Sequence, residues 1–161
     1  MGIWDSFAVM KTLLVPLDLS DATGPLIEEA GRLASMLSAR VVLLHVSEPV
    51  ASYVPVGASM DVLTAQPLEQ GPDMATLEKR MESFATKMAS TVPSVESRVV
   101  VGLAVEEILS TAEAESADYI VMASHGHGAL YHLFSGSVVT EVLKHAKSPV
   151  LVIPARKRAS E

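Results

Sequence analysis

Two hydrophobic periods alternate along the chain. Leu13-Leu14-Val15-Pro16-Leu17, Val41-Val42-Leu43-Leu44-His45-Val46, Val99-Val100-Val101, Tyr119-Ile120-Val121-Met122-Ala123 and Val150-Leu151-Val152-Ile153 are short, nearly continuous apolar runs. Runs of this length, rich in Val and Ile and without polar alternation, predict strands buried on both faces. Between them the spacing is helical. Leu26, Ile27, Ala30, Leu33, Ala34 and Leu37 share one face, with Glu28, Glu29 and Arg32 turned away. Met74, Leu77, Met81, Phe84, Ala85 and Met88 form a second stripe, Ile108, Leu109 and Ala112 a third, and Val138, Val139, Val142, Leu143 and Ala146 a fourth. The methionines of the second stripe read as core packing.

The resulting order, β-α-β-α-β-α-β-α-β, predicts an α/β domain: a single doubly wound parallel sheet with helices on both faces. No internal repeat is visible, so one unit is expected. The stretch 48–73 breaks the pattern, with Pro49, Pro55, Gly57, Pro67, Gly71 and Pro72. A connection of that length reads as a long loop or lid, and its apolar residues, Tyr53 and Met60 among them, suggest that it packs on something.

Composition narrows the class. With 161 residues, 49% of them apolar and 19% charged, the chain suits one domain with a large core. A formal net charge of −7 argues against a nucleic-acid surface, which needs clustered Lys and Arg. The one basic cluster, Arg156-Lys157-Arg158, belongs to a short tail, 156–161, that reads as a solvated end. There are no cysteines, which excludes disulfides, thiolate catalysis and cysteine-based zinc sites. Neither a membrane-length apolar run nor a signal-peptide pattern is present, so a cytoplasmic protein without membrane association is expected. MGIWDS matches the loose N-myristoylation pattern through Gly2 and Ser6, which carries little weight.

Ligands of open parallel sheets sit beyond the carboxyl ends of the strands. Two such ends carry polar signals: Pro16-Leu17-Asp18-Leu19-Ser20-Asp21 after the first strand, and Ser124-His125-Gly126-His127-Gly128 after the fourth. Gly126 and Gly128 let the backbone approach a ligand closely, and Gly136-Ser137 opens a helix whose free N–H groups favour an anion. On spacing alone this segment is either a phosphate cradle or an ordinary turn with a serine cap. Neither G-x-x-x-x-G-K-[ST] nor G-x-G-x-x-G is present. Asp18 reads equally as a ligand contact or as part of a turn and helix-cap cluster with Ser20 and Asp21. His125, His127 and His132 lack a nearby carboxylate to complete a metal site, so none is expected. Ser124, His125 and Asp18 do not make a triad, because adjacent Ser and His on one strand end cannot face each other and G-x-S-x-G is absent. His45 and His145 read as structural.

From Lys11 to Pro154 the chain resembles the universal stress protein family. The carrying residues are LLVPLDLSD, VVLLHV, VVVGLAVEEIL, ADYIVMASHGHG and GSVVTEVLKHAKSPVLVIP. The nucleotide-binding branch of that family has G-x-x-G, nine residues, then G-[ST]. Here Gly126, nine residues and Gly136-Ser137 match, while Ala123 stands where the motif has its first glycine. The resemblance implies a sheet in the order 3-2-1-4-5, of the adenine nucleotide alpha hydrolase-like kind, in a domain spanning 11–155 after an N-terminal extension at 1–10. It implies a homodimer paired through the fifth strand, Val150 to Ile153. It further implies an ATP or related adenine-nucleotide site in which Pro16, Leu17, Asp18 and Val46 face the adenosine end. Met122, Ala123, Gly126, His127, Gly136, Ser137, Val138 and Val139 would line the ribose and phosphates, with any Mg²⁺ held through the phosphates. An ATP-binding, dimeric stress-response or regulatory module is thus expected. The alternatives are a dimeric interaction module without nucleotide and a slow ATP hydrolase or phosphotransferase. No arginine finger or catalytic base is evident near the loop, so no catalytic residue is assigned.

Overall fold

Five strands and four helices alternate along the residues that the structure, a computed structural model, describes: 10–49, 73–124 and 138–154. They are β1 (Thr12–Pro16), α1 (Thr23–Leu37), β2 (Arg40–Ser47), α2 (Met74–Met88), β3 (Ser94–Val101), α3 (Ala104–Ala114), β4 (Tyr119–Ser124), α4 (Val138–His145) and β5 (Val150–Pro154). All strand pairs are parallel and the sheet order is β3-β2-β1-β4-β5, as the resemblance implied.

The continuous apolar runs are explained by two cores, one on each face. Successive strand residues point to opposite faces. Leu13, Val15, Leu17, Val41, Leu43 and Val121 pack with Leu26, Ile27, Ala30 and Ala34 of α1 and Met81 and Met88 of α2. Leu14, Val42, Leu44, Ile120 and Met122 pack with Ile108 and Ala112 of α3 and Val139 and Val142 of α4. Of the α2 methionines, Met81 and Met88 are core, as expected, while Met74 is only half-buried.

Two strands differ from the expectation of burial on both faces. β3 and β5 are the sheet edges, and most of their residues are only half-buried. β3 also begins at Ser94, five residues before its apolar run, through an alternating Ser94-Val95-Glu96-Ser97-Arg98 stretch. An edge strand has one pairing side open, so half-polar alternation is tolerated there and charges discourage further pairing.

The amino ends of the central strands are clamped by polar groups. Asp118 Oδ2 accepts from Thr12 N at 2.8 Å, and Asp118 N donates to Thr12 O at 2.9 Å. Arg40 donates through Nε to Thr12 Oγ1 at 2.9 Å and through Nη2 to Glu115 Oε2 at 2.8 Å. Arg98 pairs with Glu115 at 2.7 Å and with Glu96 at 3.1 Å. The hydrogen bond from Arg40, followed by that from Arg98 and the charges of both, holds the Glu115 carboxyl below its ordinary pKa, although desolvation opposes the shift. A depressed folded pKa stabilises the fold above the unfolded value, near pH 4.3, and that stability is lost as pH falls through the folded value. Glu115→Gln is therefore expected to cost about 1–2 kcal/mol at neutral pH. The difference from wild type should shrink as denaturant titrations are repeated at progressively lower pH below about 4.3.

No helix among the described residues is long and apolar enough to cross a membrane.

Candidate functional site

The opposite, carboxyl end of the sheet splits open. β1 and β4 pair at Leu13↔Tyr119 and Leu14↔Ile120 and no further, although β4 continues to Ser124. On its other side β1 stays paired with β2 to Pro16↔Leu44, and Leu17 N donates to Leu44 O at 2.7 Å. Neighbouring strand residues face opposite sides, so Pro16 is the next position turned toward β4. Proline has no N–H to extend the ladder. The split falls where the strand order reverses, the place at which doubly wound sheets form their crevice.

A cavity of about 210 Å³ occupies this split. Its walls contain Pro16, Leu17 and Asp18 from the end of β1, Val46 from β2, Met122 and Ala123 from β4, and Val138 and Val139 from α4. These eight positions were singled out in the sequence and meet in one place. The other four, Gly126, His127, Gly136 and Ser137, lie outside the described residues, as do His125, His132 and the stretch 50–72. Leu26, Leu44, Ala104 and Ile108 also line the cavity and were not anticipated. In the sequence they look like the core positions they also are, although Leu44 falls in the quoted family segment VVLLHV and Ala104 and Ile108 in VVVGLAVEEIL. A larger open groove, about 690 Å³, runs between α1 and α2 past Gly31, Phe84, Lys87 and Met88. It touches no strand end, whereas the smaller cavity sits at the switch point of the sheet and is the better candidate.

Asp18 is the one charged side chain among the described residues of the cavity wall. It also builds its own turn, while the N-cap of α1 is Ala22 and has no side-chain cap, so Asp18 belongs to a turn cluster and does not cap the helix. Its Oδ1 accepts from Ser20 N at 3.0 Å, Ser20 Oγ accepts from Ala22 N at 3.2 Å, and Thr23 N donates to Ser20 O at 3.1 Å. Between them Leu19 is held at φ 61°, a left-handed conformation costing a leucine about 1–2 kcal/mol. Arg80 Nη2 of α2 donates to Leu19 O at 3.0 Å. His45 Nδ1 lies 2.8 Å from Leu17 O, and because a carbonyl only accepts, that nitrogen carries the hydrogen. His45 thus ties β2 to the cavity rim, the structural role its buried strand suggested.

Ala123 lies within β4 opposite Ile153, and it is not among the residues with positive φ. The backbone there is one that alanine adopts without penalty.

The helix N-termini differ in what they offer an anion. At α1, Thr23 N and Ala22 N are already bonded to Ser20, and Pro25 has no N–H. The first turn of α3 carries Glu106 and Glu107, which cancel its positive end. The first turn of α4 carries Glu141, and this carboxylate is neutralised by Lys144 Nζ at 2.7 Å. α4 begins at Val138, immediately after Gly136-Ser137.

A family model described as the universal stress protein family matches residues 10–154. A relative from Thermus aquaticus, described as a universal stress protein in the QAH/OAS sulfhydrylase 3′ region, is 32% identical over 146 residues, covering 90% of this chain and 99% of that protein. Among solved structures, the universal stress protein UspA of Lactobacillus plantarum superposes with a TM-score of 0.68 at 26% identity, over 89% of this chain and 97% of that one. A universal stress protein solved in complex with cAMP has the same fold, with a TM-score of 0.67 at 20% identity over 91% of this chain and 98% of that one. With the five-stranded order, the split beside Pro16 and these matches together, the chain belongs to the universal stress protein family.

Proposed function

We propose that the protein binds an adenine nucleotide, ATP or a close relative, in the crevice between β1 and β4, and acts as a dimeric stress-response or regulatory module in the cytoplasm. The observation that carries this reading is the convergence of Pro16, Leu17, Asp18, Val46, Met122, Ala123, Val138 and Val139 on one cavity at the sheet's switch point. Apolar walls of this kind suit the faces of a base, and Asp18 can accept a hydrogen bond from an amine or a hydroxyl. In this reading the phosphates point toward α4, and Gly126, His127, Gly136 and Ser137 are the residues expected from the sequence to donate to them; the first turn of α3 is acidic, and at α1 two N–H groups are already bonded to Ser20. The related structure with cAMP supports an adenine nucleotide in this fold. Among the described residues no three His, Asp or Glu side chains are placed to hold a metal. Any Mg²⁺ accompanying ATP would be held through the phosphates. β5 has β4 as its single partner in the sheet and leaves Leu151 39% exposed, which supports pairing with a second copy through this edge.

The test is to denature the purified protein, look for released nucleotide by chromatography, and titrate ATP against thermal stability. Absence of both released nucleotide and any shift at millimolar ATP would overturn the reading and leave a dimeric interaction module. Phosphate release above that of Ser137→Ala would indicate hydrolysis. Asp18→Asn separates the two jobs of Asp18, since its Oδ1 still accepts from Ser20 N while the charge is lost. It should leave stability within about 0.5 kcal/mol. ATP affinity should fall about tenfold, which corresponds to about 1.4 kcal/mol.

A further inference from the structure

We infer that Arg80, on α2, is a positioning residue for the Asp18 turn, holding that turn in the shape the crevice needs. The inference rests on the nucleotide reading of the crevice for its functional consequence, though not for its geometry. Three observations carry it. Leu19, next to Asp18, is one of three non-glycine residues with positive φ among the described residues, at 61°. The carbonyl of this same residue accepts from Arg80 Nη2 at 3.0 Å, across 61 positions of sequence. Within its own segment the turn is held by short-range bonds, Ser20 N to Asp18 Oδ1, Ala22 N to Ser20 Oγ and Thr23 N to Ser20 O.

A leucine leaves the left-handed region readily unless its surroundings over-determine it. If Leu19 flips out, its peptide carbonyl rotates and Asp18 is re-aimed away from the cavity wall it now shares with Leu17 and Ala123. The backbone that carries Arg80 is firm, because it lies beside Met81, which is completely buried, and three residues beyond buried Leu77, while the guanidinium meets Leu19 O at the exposed surface. The side chain of Leu19 also packs against the core that α1 and α2 share with the sheet, so the turn is fastened to α2 through its carbonyl and to this core through its side chain. By reciprocity, a ligand that needs Asp18 in this position steadies the seating of α2.

The bond uses one N–H on one carbonyl, so lysine can replace arginine and methionine cannot. Arg80→Met, Arg80→Lys, Leu19→Gly and the Leu19→Gly/Arg80→Met double variant are to be compared by ATP affinity and by amide hydrogen exchange at Ser20 and Ala22 in the free protein. Arg80→Met should raise the ATP dissociation constant three- to tenfold and speed exchange at both amides. Arg80→Lys should stay within twofold of wild type in both. Glycine at 19 adopts positive φ without strain, so in that background Arg80→Met should change affinity by less than twofold. Unchanged exchange in Arg80→Met overturns the proposal, as does a lysine variant as poor as the methionine one. An effect undiminished beside Leu19→Gly also overturns it, since Arg80 would then act on the ligand or on α2 alone. If wild type binds no ATP, the nucleotide reading fails, and the exchange measurements alone decide the role of Arg80.

Discussion

Replacing Ala123 with leucine is expected to abolish stabilisation by ATP while leaving the fold in place. Ala123 is a half-buried residue of β4, opposite Ile153 of β5, and its side chain reaches the cavity and the core next to α1. An isobutyl group there intrudes from the β4 wall into a space of about 210 Å³. For wild type, ATP at 100 times its dissociation constant should add about 2.7 kcal/mol. In a domain of this size that raises Tm by about 5–10 °C. In Ala123→Leu the shift should vanish, with circular dichroism and the ligand-free Tm close to wild type. A full shift in the leucine variant would place the nucleotide elsewhere. The reverse change, Ala123→Gly, should alter affinity little, because the strand backbone does not call for positive φ. Any gain it brings reports the room freed by one methyl, set against about 0.5–1 kcal/mol of stability lost to glycine in a strand.

The second large effect is on the fold. Leu14→Ala should destabilise the protein by about 3–5 kcal/mol. Leu14 has no exposed surface and lies on the central strand, in register with Val42 of β2 on one side and Ile120 of β4 on the other. It belongs to the core shared with α3 and α4, and a strand flanked on both sides cannot shift to close the hole. Against a total of about 5–15 kcal/mol the loss is a large share. Urea denaturation should show a lower midpoint with an unchanged slope. Leu151→Ala on the exposed β5 edge is the contrasting case. It should cost a monomer under about 1 kcal/mol, so a larger, concentration-dependent loss would report an interface at that edge.

These expectations depend on different amounts of tertiary information. The importance of Leu14 is legible in a run such as LLVPL, because a continuous apolar strand has to be covered on both faces. The helical stripes are legible for the same reason, and α1, α2, α3 and α4 form where the spacing places them. The first half of β3 is not legible. Ser94, Glu96 and Arg98 look like a loop until the strand is known to be an edge whose charges meet Arg40 and Glu115. Of the cavity wall, Asp18 was visible through its chemistry, an aspartate after a strand, and Pro16, Leu17, Val46, Met122, Ala123, Val138 and Val139 through the family resemblance. Leu26, Leu44, Ala104 and Ile108 were not, because a residue that packs on the core and also faces a crevice carries the same sequence signal as one that only packs.

The sequence by itself determined the alternation of strands and helices, the absence of thiol chemistry, and which strand ends carry polar groups. Those properties follow from local periodicity and composition, which act along the chain. Tertiary structure decided that the ends of β1 and β4 lie side by side and then part, with a proline at the point of parting. It decided that Ala123 has an ordinary strand backbone, and that a leucine beside Asp18 is held left-handed by an arginine 61 positions away. Each of these depends on contacts between segments far apart in the chain, and such contacts have no counterpart in local pattern.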